Sequence, residues 1–283
     1  MTFTFLTSIR SREYPFIVKT GADSDINGKE SRATRKSKPL NLKKIAEIVP
    51  LLSILIAPLF LAFWSQESFD PEKLIDAAKT AMASVDSYTA VFHKQERING
   101  NLTKEETIFI KFKRPFSVYM KWIKDPFKGR ECLYVQGANN NRIKAHEGGI
   151  LDLIKLNLDP LNSRAMKGNR HPITEVGLEN LIRLIGMELQ RGISAGEIQV
   201  KDLGEEMIYA RKTRKIESIF PKEKGYFCFR AVVNLDTVFK VPIRSMIYDW
   251  RDQLIENYGY EEFKLNAGLT AADFDPKNPE YKF

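Results

Sequence analysis

Two long stretches of this chain alternate in side-chain character with a period of two, and only two segments after residue 65 carry a helical period. That pattern most limits what the chain can fold into. In the first stretch, YTAVFHKQER sets Tyr88, Ala90 and Phe92 against Thr89, Val91 and His93. TIFIKFK sets Ile108, Ile110 and Phe112 against Phe109, Lys111 and Lys113, and FSVYMKWIK puts Phe116, Val118, Met120 and Trp122 on one face. Asn99-Gly100, Arg114-Pro115 and GANNN are turn or break signals between these runs. With ECLYVQG and NRIKAHE they predict about five antiparallel strands. The second stretch holds EIQVKDL, MIYARKTRKIESIF, YFCFRAVVNLD, KVPIRSMIYDW and QLIENYGYEEFKLN, with Asp252-Gln253 as a hairpin turn. LDLIKLNL, between the two stretches, reads as a further strand.

The first helical segment is PEKLIDAAKTAMASV, with Asp70 as N-cap and Pro71 at the first helical position. Its expected buried stripe is Leu74, Ala77, Ala78, Ala81 and Val85. The second helix is expected from about Thr174, capped by that residue. It buries Val176, Leu178, Leu181, Ile182, Ile185 and Leu189 and stops at Gly192. The fold class is therefore α+β: ten or so mostly antiparallel strands in one large sheet. A sheet that wide must curl, and strong curling makes an open half-barrel whose inner side the helices cover.

Before this domain lies IAEIVPLLSILIAPLFLAFW at 45–64, uncharged from Ile48 to Trp64. As a helix those residues would span ~25 Å, close to a bilayer core of ~30 Å. Lys43 and Lys44 precede the segment, and Glu67, Asp70 and Glu72 follow it, so the positive-inside rule places the N-terminus in the cytoplasm and the domain outside. Leu61-Ala62-Phe63-Trp64 crowds the place where a cleavage site needs small residues, which favours an uncleaved inner-membrane anchor over a cleaved signal peptide. Residues 1–44 are polar, aperiodic and basic, and read as a disordered leader; a start codon placed too far upstream would account for its length. The leader holds ten Lys and Arg against four Asp and Glu, whereas residues 65–283 hold 34 against 31. The net charge of +8 is thus mostly a property of the leader, and nucleic-acid binding is not expected.

YTAVFHKQERINGN, FIKFKRPFSVYMKW with its Lys113-Arg114-Pro115, and CLYVQGANNNRI resemble the first half of the LolA/LolB-like lipoprotein carriers. MKGNRHPITEVGLENLI, YDWRDQLIENYGYEEFKLN and DFDPKNPEYKF are similar to the DUF1571 family of exported bacterial proteins. The resemblance covers about residues 70–283. It implies an open curved sheet covered by helices at 66–283, a periplasmic location, and a cavity for acyl chains.

The strand faces carrying Phe92, Ile108, Ile110, Phe112, Val118, Met120, Trp122, Leu133 and Val135 are the candidate cavity lining. The same residues would equally serve as an ordinary core beneath the helices. No G-x-S-x-G, H-E-x-x-H, P-loop or G-x-G-x-x-G occurs, so no catalytic residue, metal or cofactor is expected. His93 reads as a solvated or hydrogen-bonded strand residue and His171 as a loop-to-helix junction. Glu105-Glu106 reads as a solvated strand start, and Asp249, Asp252 and Glu256 as a solvated turn. ARKTRK at 210–215 reads as a charged edge strand, with anionic lipid headgroups as the alternative partner. Cys132 and Cys228 are read as buried free thiols rather than a disulfide. The leading expectation is a non-enzymatic envelope protein that binds a lipid or acylated protein. The alternative is an interaction or sensor module with a filled core, recognising an envelope protein.

Overall fold

A computed structural model describes residues 69–149 and 154–283; the expectations for the leader at 1–44 and the apolar segment at 45–64 lie outside the described residues. No helix among the described residues is long and apolar enough to cross a membrane.

The first helix, α1 (Pro71–Ala83), begins where the sequence signals it. The Asp70 carboxylate accepts from the backbone N–H of Glu72 at 3.0 Å and of Lys73 at 3.3 Å, and Pro71 opens the first turn. Its buried stripe is Ile75, Ala78 and Met82, continued by Val85; the expected Leu74, Ala77 and Ala81 are only half-buried, because the helix is rolled toward the next row of residues. The chain then runs antiparallel through β1 (Ser87–Ile98), a two-residue β2 (Asn101–Leu102), β3 (Glu106–Lys113), β4 (Ser117–Trp122), β5 (Glu131–Val135), β6 (Ile143–His146) and β7 (Lys155–Leu158). The second helix, α2 (Leu178–Ser194), follows a long connection. The chain returns to the sheet as β8 (Gln199–Ile208), β9 (Arg211–Ile219), β10 (Arg230–Asp236), β11 (Pro242–Tyr248) and β12 (Leu254–Leu265).

These strands form one 12-stranded sheet in the order β7-β6-β5-β4-β3-β1-β12-β11-β10-β9-β8, with β2 paired to β1 and every pairing antiparallel. Each half is a run of hairpins, and the long-range β1–β12 pairing closes the two halves into one sheet. That pairing sets Phe92 opposite Tyr260 and Glu96 opposite Glu256. EIQVKDL and the Met207-Ile208 end of the next run are a single strand, β8, with an irregularity around Gly204, and the turn to β9 is made by Tyr209 and Ala210 at positive φ. ARKTRK therefore begins in that turn and continues into β9, an interior strand rather than an edge. Its cations are engaged: Arg211 with Asp236, Lys212 with Glu205 at 2.7 Å, Arg214 with Asp202, and Lys215 with Glu206 at 3.4 Å.

Both helices lie on one face of the sheet. Ala78, Met82, Leu178 and Ile182 meet Tyr88, Phe92, Ile108, Ile110, Phe112 and Val118 in the main core. Ile75 and Leu189 join a second cluster with Phe220, Tyr226, Cys228 and Ile247. On the opposite face the C-terminal tail covers β4 and β5, where Phe274 and Tyr281 pack on Tyr119 and Leu133, and the Tyr119 and Tyr281 rings stack 3.9 Å apart. Leu133 and Val135 thus belong to the face away from the helices. Strand parity in β5 presents Cys132 and Tyr134 to the helix side instead.

The α2 entry differs from the sequence expectation. Residues around Thr174 form a single 3-10 turn, Ile173–Glu175, and the helix starts after Gly177. Gly177 has φ 116°, where any side chain is strained, and a Cβ there would stand 2.9 Å from the Tyr88 hydroxyl. That hydroxyl accepts from the Leu178 N–H at 3.1 Å and stands in for the missing side-chain cap. The helix runs past Gly192, where a Cβ would press on Ile198 at 2.4 Å, so this glycine allows close packing rather than a stop.

Candidate functional site

Between the helix-bearing face and the connection leading into α2 lies a cavity of about 1030 Å³. That is the upper end of the range for small-molecule sites, roughly 300–1,000 Å³. Phe92, Met120, Trp122 and Ala145 line it from the strands, and Leu181, Leu184 and Ile185 from α2. Ala165, Ile173 and Val176 close it from the connection. Phe127, Met187 and Phe227 stand on its rim and are substantially exposed.

Of the nine candidate lining residues, three, Phe92, Met120 and Trp122, reach the cavity. Ile108, Ile110, Phe112 and Val118 share their face but are sealed under the helices as core. Leu133 and Val135 lie on the far side of the sheet beneath the tail.

One wall of the cavity is polar, and it is built from three adjacent strands. Register places Glu106 of β3 beside Lys94 of β1, and Lys94 beside Tyr258 of β12. Lys94 is 7% exposed, and its ammonium donates to Glu106 at 3.0 Å and to the Asn169 side-chain oxygen at 2.8 Å, with Glu96 at 3.4 Å. Glu106, expected in solvent, is buried and also accepts from the Trp122 indole at 2.5 Å. Glu96 accepts from the Tyr258 hydroxyl and from the Arg170 backbone N–H at 3.0 Å. Burial, followed by the Glu256 and Glu96 charges, pushes the Tyr258 phenol far above its ordinary range, so it remains a donor.

The connection is fastened to this wall by three consecutive residues. After Asn169, Arg170 Nε donates to Glu256 at 2.6 Å, and His171 Nε2 lies 3.1 Å from the same carboxylate oxygen. His171 Nδ1 meets Glu175 at 2.9 Å. The hydrogen bond to Glu256 lifts the His171 pKa from 6.5 to about 9; burial works against this, and Glu175 adds to it. Burial in turn opposes ionisation of Glu256, but His171 and then Arg170 hold its carboxyl below the usual range. His171 is therefore an imidazolium at neutral pH. Glu256 is part of a buried ion cluster and not of a solvated turn: Asp252 pairs separately with Arg230 at 2.7 Å, and Asp249 caps the turn by accepting from the backbone of Arg251 and Gln253.

Farther along the wall, Arg130 pairs with Glu147 at 2.7 Å and lies over the Phe127 ring. His146 and Glu131 are fully buried and 3.3 Å apart. His93 is on the opposite face, between Glu105 at 3.2 Å and Glu261 at 2.9 Å, and stacks on Tyr209. The two cysteines are free and sit in different clusters, and burial pushes each thiol up to about 12. Among the described residues no group of three or more His, Cys, Asp and Glu is placed to hold a metal ion.

Several solved structures align with part of this chain. The Mycobacterium tuberculosis lipoprotein LppX aligns at 15% identity with a TM-score of 0.45, over 73% of this chain and all of that one. A chain of the Pseudomonas aeruginosa MucA/MucB complex aligns at 14% identity and TM-score 0.42, over 73% of this chain but only 61% of that chain. A LolA superfamily protein from Nitrosomonas europaea aligns at 10% identity and TM-score 0.29, over 74% of this chain and 98% of its own. No curated protein matches the sequence. A family model described as a protein of unknown function, DUF1571, matches residues 85–283, from just after α1 through every strand and the closing tail. On that match the chain belongs to the DUF1571 family.

Proposed function

We propose that this protein holds a lipid, or another ligand bearing an acyl chain, in the cavity under α2, and that it binds this ligand rather than transforming it. The observation that carries the reading is a space of about 1030 Å³ lined mainly by apolar side chains of one sheet face and α2. A core that served packing alone would close such a space, since protein interiors pack as densely as organic crystals. A sheet of twelve strands curls, and a curled face leaves room beneath a helix that spans it. Each chain methylene taken from water contributes about 0.8 kcal/mol, so a medium-length acyl chain supplies ample driving force. The exposed rim residues Phe127, Met187 and Phe227 give such a chain an apolar path in and out.

The 45–64 segment supports an envelope location, with the domain on the far side of the inner membrane. Held there, the protein would receive or hand over its ligand at the membrane surface.

Native mass spectrometry of the full-length protein, purified from an envelope-containing host and followed by solvent extraction, tests the reading. A reproducible extra mass that extracts as a lipid or acylated species is the expected result. A clean ligand-free mass, together with no uptake of a fluorescent fatty acid or of an apolar dye, would overturn it.

A further inference from the structure

Resting on the lipid-binding reading, the polar wall narrows the class of ligand. Lys94, Arg170 and His171 face four carboxylates there, Glu96, Glu106, Glu175 and Glu256. Lys94 is engaged by Glu106, Asn169 and Glu96, and both ring nitrogens of His171 are taken by Glu256 and Glu175. With His171 protonated, the three cations are matched by Glu96, Glu106 and Glu256, and the more exposed Glu175 adds a fourth carboxylate, so no positive charge is left over. A carboxylate or phosphate head brought against this wall meets no cation left over, and it loses hydration beside the buried Glu96 and Glu106. Along the rest of the lining, Arg130 is held by Glu147, whereas Arg164 and Lys167 stand exposed to solvent, where a charge contributes little.

A different chemistry lies one strand over. Ser245 of β11 is the register neighbour of Tyr258, lines the cavity and is fully buried, and its Oγ makes no hydrogen bond. Tyr258 cannot serve it as a donor, because its hydroxyl proton already goes to Glu96. A buried hydroxyl without a partner is unfavourable. As it stands the Oγ has almost no accessible surface; rotation about one side-chain bond is needed to turn it toward the cavity, where an uncharged acceptor supplied by the ligand relieves it without adding charge to the wall.

We propose that the cavity selects neutral acyl esters, with the Ser245 hydroxyl donating to the ester carbonyl, and keeps ionised lipid heads away from the polar wall.

The test is displacement of N-phenyl-1-naphthylamine from the full-length protein by four ligands of equal chain length: methyl laurate, laurate, dodecyl phosphate and dodecane. Methyl laurate is expected to compete at about tenfold lower concentration than laurate or dodecyl phosphate, because the ionised heads must shed hydration beside buried carboxylates, and at several-fold lower concentration than dodecane, about the size of one hydrogen bond. Ser245→Ala should reduce the advantage of methyl laurate over dodecane by a similar factor. The variant should melt no lower than wild type, because it loses an unpaired hydroxyl and no contact. Laurate or dodecyl phosphate competing as well as the ester would overturn the proposal, as would an ester advantage untouched by Ser245→Ala. If dodecane displaces the dye but the ester gains nothing over it, only the choice of neutral esters falls. If neither dye nor dodecane enters, the lipid-binding reading falls with it.

Discussion

Glu256 joins two parts of the molecule. It sits on β12 and holds Arg170 and His171 of the connection that closes the cavity. Since the folded protein lifts the His171 pKa from 6.5 to about 9, the folded state binds that proton more tightly than the unfolded chain. The resulting stabilisation is full below about pH 6.5 and is lost as pH rises through about 9. His171 is about one-third exposed, so after solvent screening the term is on the order of 1 kcal/mol. Thermal melts of wild type and His171→Gln should differ most near neutral and acid pH and converge above pH 9. A gap that stays constant across that range would show that the histidine acts by shape and not by charge. In sequence, Glu256 reads as part of a solvated turn and Glu106 as a solvated strand start. What distinguishes them is the residue beside each across the sheet, and pairing between β1 and β12 joins positions some 160 residues apart.

At the scale of elements, α2 depends on a cap that comes from elsewhere. Tyr88→Phe removes the acceptor for the Leu178 N–H and leaves a buried donor unpaired. The expected cost is about 1–3 kcal/mol in urea unfolding, with faster hydrogen exchange in the first turn of α2. A variant within experimental error of wild type would mean that water reaches this N–H. Thr174 has the right chemistry for a cap, but a hydroxyl 90 positions upstream occupies the role, and no local signal reports that. The strands show the converse limit. Their existence was legible from the period of two, yet β5 offers apolar residues on both faces, with Leu133 and Val135 on one and Cys132 and Tyr134 on the other. Parity alone could not say which set meets the helices.

Across the whole molecule, the two faces of the sheet are covered by different parts of the chain. The helices and the connection cover one; the closing tail covers part of the other. The tail is fixed by Tyr281, which stacks on Tyr119, donates to the Asp273 carbonyl and lies beside the Lys111 ammonium. Tyr281→Ala should therefore cost about 3 kcal/mol, the usual size of losing a buried aromatic ring, measured by denaturant unfolding. Because the tail lies across the sheet from the cavity, dye binding per folded molecule should stay within twofold. A large loss of binding in a folded variant would mean that the two faces are coupled through β4 and β5.

The sequence alone determined the class of this domain: a large antiparallel sheet with an early capped helix and a second helix between two runs of hairpins. It could do so because alternation, turn residues and caps are local, each set by a few neighbours in the chain. It also carried the family, through extended similarity that the family model places at 85–283. Tertiary structure alone decided which apolar residues became core, which line a cavity and which lie under the tail. It also decided that Lys94, Glu96, Glu106, His171 and Glu256 form one polar wall. Those outcomes rest on strand order, on register between distant strands and on the roll of two helices. Such relations form only when the chain closes on itself, so no short stretch of sequence contains them.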